Sequence, residues 1–132
     1  VVHRAGLVHR DVKPANVFLC DAEAGSPRLV KLLDFGVAKV LAAGAAVVSP
    51  AAPTAGNVAI GTPRFLSPEQ ACGNPVDKRA DLYSVGVLLF WMLAGRDPFA
   101  HHEAMLDILL AHVTEPPPAV STFAAYAVPP EL

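Results

Sequence analysis

His9-Arg10-Asp11-Val12-Lys13-Pro14-Ala15-Asn16 places a carboxylate, an ammonium and an amide on one tight loop, and its reading decides the rest of the chain. Phosphoryl transfer needs such a set: a carboxylate to orient the attacking hydroxyl, a cation to offset the charge of the migrating group, and oxygen ligands to hold a magnesium ion. Asp11, Lys13 and Asn16 fit those roles in that order. The plain alternative is a solvated turn containing a proline. Against it, six specified positions matching by chance is on the order of one in ten million or rarer at ordinary residue usage.

Downstream of the loop, the short apolar run Val17 to Leu19, the turn-rich stretch Asp21 to Pro27 and the second run Leu29 to Leu33 form a β-hairpin signature. Asp34-Phe35-Gly36 follows directly. From Val37 to Gly61 the chain is dominated by Ala, Gly, Val and Pro, carries a single charge at Lys39 and shows neither helical nor alternating period; it predicts a long, mobile loop. From Thr62 onward the pattern turns helical. Leu82, Val85, Leu89, Phe90 and Leu93 recur at helical spacing between Lys78 and Ala94, with Gly95 as the stop, and predict a deeply buried helix. A second helix is predicted over His102 to Val113, with Met105, Ile108, Leu109 and Val113 on the core face and Pro116-Pro117-Pro118 ending it.

Composition bounds the remaining choices. With 132 residues, 53% hydrophobic and 17% charged, the chain has material for one core. A formal charge of -2 and scattered basic residues argue against nucleic acid as a partner. Cys20 and Cys72 cannot make a disulfide framework and sit in no metal-ligand spacing, which favours a reducing, cytoplasmic compartment. The longest apolar run, Val85 to Ala94, is about half of what a bilayer crossing needs, so no membrane contact is expected within this segment. His101, His102 and His112 read as surface or helix-face residues, because no acidic or cysteine cluster accompanies them in sequence. The opening Val1-Val2-His3-Arg4, with no initiator methionine or leader, reads as part of something longer.

The loop from His9 to Asn16 resembles the catalytic loop of protein kinases, and Lys13, two residues after Asp11, resembles the serine/threonine branch of that family. Asp34-Phe35-Gly36 is similar to the family's second metal-binding carboxylate, packing switch and hinge. Gly61-Thr62-Pro63-Arg64-Phe65-Leu66-Ser67-Pro68-Glu69-Gln70 resembles the end of a kinase activation loop, with Ser-Pro-Glu in a spelling frequent in bacterial-type kinases. By that resemblance Thr62 bridges Asp11 and Lys13 through its hydroxyl, and Glu69 pairs with an arginine beyond Leu132. Asp81 resembles the anchoring aspartate of the family's central helix and is expected to accept hydrogen bonds from the backbone around His9 and Arg10; the competing reading is a simple helix N-cap. Gly95-Arg96-Asp97-Pro98-Phe99 matches the family's exit from that helix.

The resemblance implies an α+β fold: the mainly helical C-terminal lobe of a kinase, spanning 1–132 as a partial domain, with a short β-hairpin at the active site and no N-terminal lobe. It implies ATP and Mg2+ as cofactors, with Lys13, Asn16, Phe18 and Asp34 on the nucleotide side, Phe18 as the floor of the adenine pocket, and Asn16 and Asp34 on the metal. Arg10 beside Asp11 implies a loop ordered by phosphorylation, with Thr54 and Ser49 as candidate acceptors. Partners are protein substrates bearing serine or threonine, and dimerisation of a full-length protein is admitted. No glycine-rich loop and no strand lysine with a matching helix glutamate occurs, so these residues alone are expected to transfer phosphate at a negligible rate. The alternatives are a non-catalytic, kinase-like scaffold module, which predicts loss of Asp11, Lys13, Asn16 or Asp34, and a small-molecule kinase of the aminoglycoside or choline type, which generally lacks Lys13, Thr62 and the Pro68-Glu69 ending.

Overall fold

A computed structural model of the chain describes residues 2–21, 26–34 and 63–129. Strands β1 (Val17–Cys20) and β2 (Leu29–Leu32) pair antiparallel, with Val17 opposite Leu32 and Cys20 opposite Leu29. The α-helices among the described residues are α1 (Pro68–Ala71), α2 (Lys78–Ala94) and α3 (Met105–Thr114). The chain is thus α+β, with a small two-stranded sheet beside helices.

Each helix starts and stops for a local reason. Ser67 caps α1 in a capping box with Gln70: its hydroxyl accepts from the Gln70 N–H while the Gln70 side chain accepts from the Ser67 N–H, and Pro68 occupies a first-turn position where its missing N–H costs nothing. Asp77 caps α2 by accepting from the Arg79 N–H at 2.8 Å. Gly95 ends it at φ 69, a left-handed conformation that glycine adopts without a Cβ penalty, with its N–H bonded to the Trp91 carbonyl. Helix α3 begins after Ala104, which has no side-chain oxygen to cap it, three residues later than His102.

The core is narrower than the apolar pattern implied. Leu66, Ala71 and Leu109 form its centre, and Phe65, Phe99, Ile108 and Ala111 are also buried. Helix α2 does not bury its large residues against the described part of the chain: Leu82, Val85, Leu89 and Met92 are exposed, while Ala80, Asp81, Ser84 and Val87 are buried. The reason lies in polar anchoring. The Ser84 hydroxyl donates to the Phe65 carbonyl at 2.7 Å, and Asp81 receives backbone N–H groups, so the face with short polar side chains is the one drawn inward. On α3 the buried residues are Ile108, Leu109, Ala111 and His112, whereas Met105 and Val113, expected on the core face, are exposed.

His112, read as a surface or helix-face residue, lies on α3 and is buried. Its Nδ1 accepts the Tyr83 hydroxyl at 2.7 Å, and its ring stands edge-on to Phe99 at 4.8 Å between centroids. Burial holds the His112 imidazole below its usual pKa, opposed by the Arg64 backbone and the Asp97 carboxylate. Burial also pushes the Tyr83 phenol up to about 12, with the Glu69 charge adding to it. Both shifts favour the neutral pair in which tyrosine donates and histidine accepts. No helix among the described residues is long and apolar enough to cross a membrane, and Cys20 and Cys72 are free thiols.

Candidate active site

The loop ahead of β1 is held from three directions. From α2, the Asp81 carboxylate accepts the His9 N–H through Oδ2 and the Arg10 N–H through Oδ1, each at 2.8 Å. Asp77 is the N-cap of that helix, so Asp81 is left to serve the loop. His3, which no local sequence signal marks, bonds to the same Asp81 Oδ2 at 2.7 Å through its Nε2. From α1, the Gln70 amide donates to the Arg10 carbonyl at 2.8 Å. From just beyond β2, the Leu33 carbonyl accepts His9 Nε2–H at 3.0 Å, while His9 Nδ1 accepts the Asp11 N–H at 3.3 Å, so one imidazole tautomer serves both contacts.

Arg10 needs this support because it lies at φ 64, a region that costs a residue with a Cβ on the order of 1–2 kcal/mol. Its N–H and C=O are both satisfied, by Asp81 and Gln70, and those two bonds hold the turn in the strained conformation. The result is that Asp11 leaves the loop with its side chain directed toward Lys13 and Asn16.

Those three residues form one cluster. Lys13 Nζ lies 2.9 Å from Asp11 Oδ2, and Asn16 Nδ2 donates to the same oxygen at 2.9 Å and to the Asp11 carbonyl at 2.7 Å. Asn16 is buried, and the Asp11 and Lys13 side chains keep 15% and 19% of their surface, enough for a reactant to reach them. Because both Asn16 amide protons are directed at Asp11, its Oδ1 is kept off that carboxylate and is of the kind a hard cation takes. The Leu33 N–H donates to the Asn16 carbonyl at 2.8 Å, which fastens the chain at the end of β2 to the loop one residue ahead of Asp34. Asp34 is exposed and sits at φ 53, the second non-glycine in the left-handed region among the described residues.

The family profile described as protein kinase domain matches residues 1–122. The chain belongs to the protein kinase family. It is similar to the serine/threonine-protein kinase Pkn1 of Myxococcus xanthus, 42% identical over 120 residues that make up 91% of this chain and 16% of that protein. It is also similar to the probable serine/threonine-protein kinase PknB of Bifidobacterium longum, 43% identical over 127 residues, 96% of this chain and 16% of the relative. A third relative, the serine/threonine-protein kinase PknB of Mycobacterium leprae, is 41% identical over 115 residues, 87% of this chain and 17% of the relative. The chain therefore spans about a sixth of the length of these curated relatives.

In this kinase chain the other candidate residues are distributed as follows. Phe18 is an exposed residue of β1 opposite Lys31. Glu69 lies in the first turn of α1 and lines an open cavity of about 310 Å³ with Pro75, Asp77 and Arg79. The Arg79 guanidinium is itself paired with Asp77 at 2.9 Å, which lowers the Asp77 carboxyl through its side-chain hydrogen bond. Phe35, Gly36, Ser49, Thr54 and Thr62 lie outside the described residues, as does the predicted loop from Val37 to Gly61.

Several contacts, those of His3 and Leu33 above among them, had no counterpart in the reading of the sequence. Gln70 could have been found, since Ser67 and Gln70 stand at capping-box spacing. The Arg64–Asp97 ion pair at 2.8 Å and the Tyr83–His112 bond join residues 33 and 29 positions apart and carry no local signal.

Proposed function

We propose that this chain carries the catalytic loop of an ATP- and magnesium-dependent serine/threonine protein kinase acting on protein substrates in the cytoplasm, and that residues 1–132 correspond to a partial domain built mainly from the helical lobe. The observation that carries the reading is the single Asp11 oxygen shared by Lys13 Nζ and Asn16 Nδ2, both at 2.9 Å. An aspartate held by two donors keeps one orientation, as a group that aligns a hydroxyl must.

In the reaction, the Asp11 carboxylate accepts a hydrogen bond from the serine or threonine hydroxyl and directs its lone pair at the γ-phosphorus. The new bond joins that oxygen to phosphorus, the bond from phosphorus to the β,γ-bridging oxygen breaks, ADP carries away the electron pair, and the hydroxyl proton passes by way of Asp11 to solvent. Lys13, 2.9 Å from Asp11, offsets the charge of the migrating group. Asn16 Oδ1 and the Asp34 carboxylate are the residues that would hold magnesium, which when bound neutralises charge on the β- and γ-phosphates. By the family resemblance Phe18 would serve the adenine side, and the Thr62 hydroxyl would bridge Asp11 and Lys13. Phosphorylation at Thr54 or Ser49 would give Arg10 an anionic partner.

The test is transfer of the labelled γ-phosphate of ATP to a mixed set of serine, threonine and tyrosine peptides, with and without magnesium, by a polypeptide extended to include an N-terminal lobe. Magnesium-dependent label on serine or threonine alone supports the reading. Label on tyrosine would refute the serine/threonine assignment, and no label on any peptide would favour a kinase-like scaffold module.

A further inference from the structure

His101 and His102 are consecutive, and in an extended chain consecutive side chains point to opposite sides. Here they do not. The turn from Asp97 to His102, closed by the Ala100 N–H to the Asp97 carbonyl at 3.3 Å and the His102 N–H to the Phe99 carbonyl at 3.0 Å, brings the two rings together, with centroids 4.1 Å apart. Both Nε2 atoms then face one carboxylate from the far end of α3. His102 Nε2 is 2.8 Å from Glu115 Oε1, and His101 Nε2 is 3.3 Å from Glu115 Oε2. The acidic neighbour in sequence, Glu103, is not the one the fold selects; Glu115, 13 residues beyond His102, is.

Three donor atoms, two imidazole nitrogens and a carboxylate oxygen, lie within 4.8 Å of one another. Ligands about 2.0–2.1 Å from a tetrahedral zinc ion stand about 3.3 Å apart, so the donors are near the spacing such an ion imposes. Mixed imidazole and carboxylate donors suit Zn2+ and its first-row neighbours better than Mg2+ or Ca2+, which prefer oxygen alone. Both ends of the cluster are anchored. The turn is pinned by Phe99, which is 1% exposed, and by Asp97, which accepts the Phe99 N–H and pairs with Arg64. Glu115 is pinned by its N–H to the Ala111 carbonyl at 2.9 Å and by the three prolines that follow.

We propose that His101, His102 and Glu115 form a binding site for a divalent transition metal of the Zn2+ class, which fastens the turn at residues 97–102 to the C-terminal end of α3. Three protein ligands leave at least one position for water, the ion lies near the surface, and its binding displaces any protons held by the imidazoles, so affinity falls as pH falls. The site is separate from the Asp11 cluster and does not depend on the function proposed for it.

The full chain is titrated with zinc chloride in phosphate-free buffer at neutral pH by calorimetry, with imidazole nitrogen shifts followed by NMR. One zinc per chain, chelator-reversible shifts at both His101 and His102, and affinity weakened at least about tenfold in His102→Gln and in Glu115→Gln are expected. Glu115→Gln retains one oxygen that can still accept from His102 Nε2 but replaces the oxygen facing His101 with an amide donor, so it weakens the metal site while sparing the shorter of the two contacts. A Cys20→Ser, Cys72→Ser double variant should bind zinc as the parent does. Zinc shifts confined to other histidines, an affinity unchanged in both variants, or no binding at millimolar zinc by a chain whose circular dichroism is helical would each overturn the proposal.

Discussion

The Asp81 carboxylate accepts the backbone N–H of Arg10 at 2.8 Å across 71 residues of chain, and Arg10 sits there at φ 64. A buried acidic side chain on the long helix thus stabilises a backbone conformation that Arg10 would not hold alone, one residue ahead of the candidate catalytic aspartate.

Asp81→Asn removes one of the two oxygens that receive His9 and Arg10. One buried N–H loses its acceptor, which costs about 1–3 kcal/mol. Chemical denaturation should show that loss, and amide exchange at His9 and Arg10 should accelerate more than at Ile108 and Leu109 in the core.

Ala104→Ser should stabilise. Ala104 occupies the N-cap of α3 with φ -73 and ψ 135, the extended geometry a capping serine uses, but supplies no side-chain oxygen. Serine there should add about 1 kcal/mol, read as a raised denaturation midpoint with unchanged slope.

Tyr83 and His112 set opposite ends of the pH profile. With the Tyr83 phenol raised to about 12 in the folded state, the unfolded chain loses its proton first, so stability falls as pH rises from about 10 toward 12. With the His112 imidazole lowered, the unfolded chain gains a proton first, so stability falls as pH drops below about 6.5. Tyr83→Phe should abolish the alkaline limb while leaving the acid limb in place, measured by urea midpoints across pH.

Much of this was legible locally, and the illegible part was tertiary. The hairpin and the bounds of α2 followed from period, turn residues and Gly95. Which face of α2 turns inward did not, because Leu82 and Val85 outrank Ser84 on any hydropathy scale, whereas the inward face carries the long-range hydrogen bonds of Ser84 and Asp81. The burial of His112 on its helix face was not legible, because its partners, Tyr83 and Phe99, come from other segments. Asp11, Lys13 and Asn16 were readable because they lie within six residues. The supports of that loop were not: Gln70 carries a capping-box signal with Ser67, but its reach to the Arg10 carbonyl, like the contacts of His3 and Leu33, joins separate stretches of chain.

Lys13→Ala tests the charge-offsetting role of the ammonium. In a polypeptide with an N-terminal lobe, kcat should fall about 10²–10³-fold, because a lost cation near the migrating phosphoryl group weakens transition-state stabilisation. A fall in kcat without a matching change in thermal midpoint separates this from a folding defect.

The most direct measurement is steady-state phosphoryl transfer by the same extended polypeptide with Asp11 and with Asp11→Asn. The amide keeps the shape and can still meet Lys13 and Asn16, but it cannot take up a proton from the hydroxyl. A kcat lowered about 10²–10⁴-fold with the KM for ATP nearly unchanged is the predicted result; a variant that turns over as fast as the parent would contradict the assignment of Asp11 to the reacting hydroxyl.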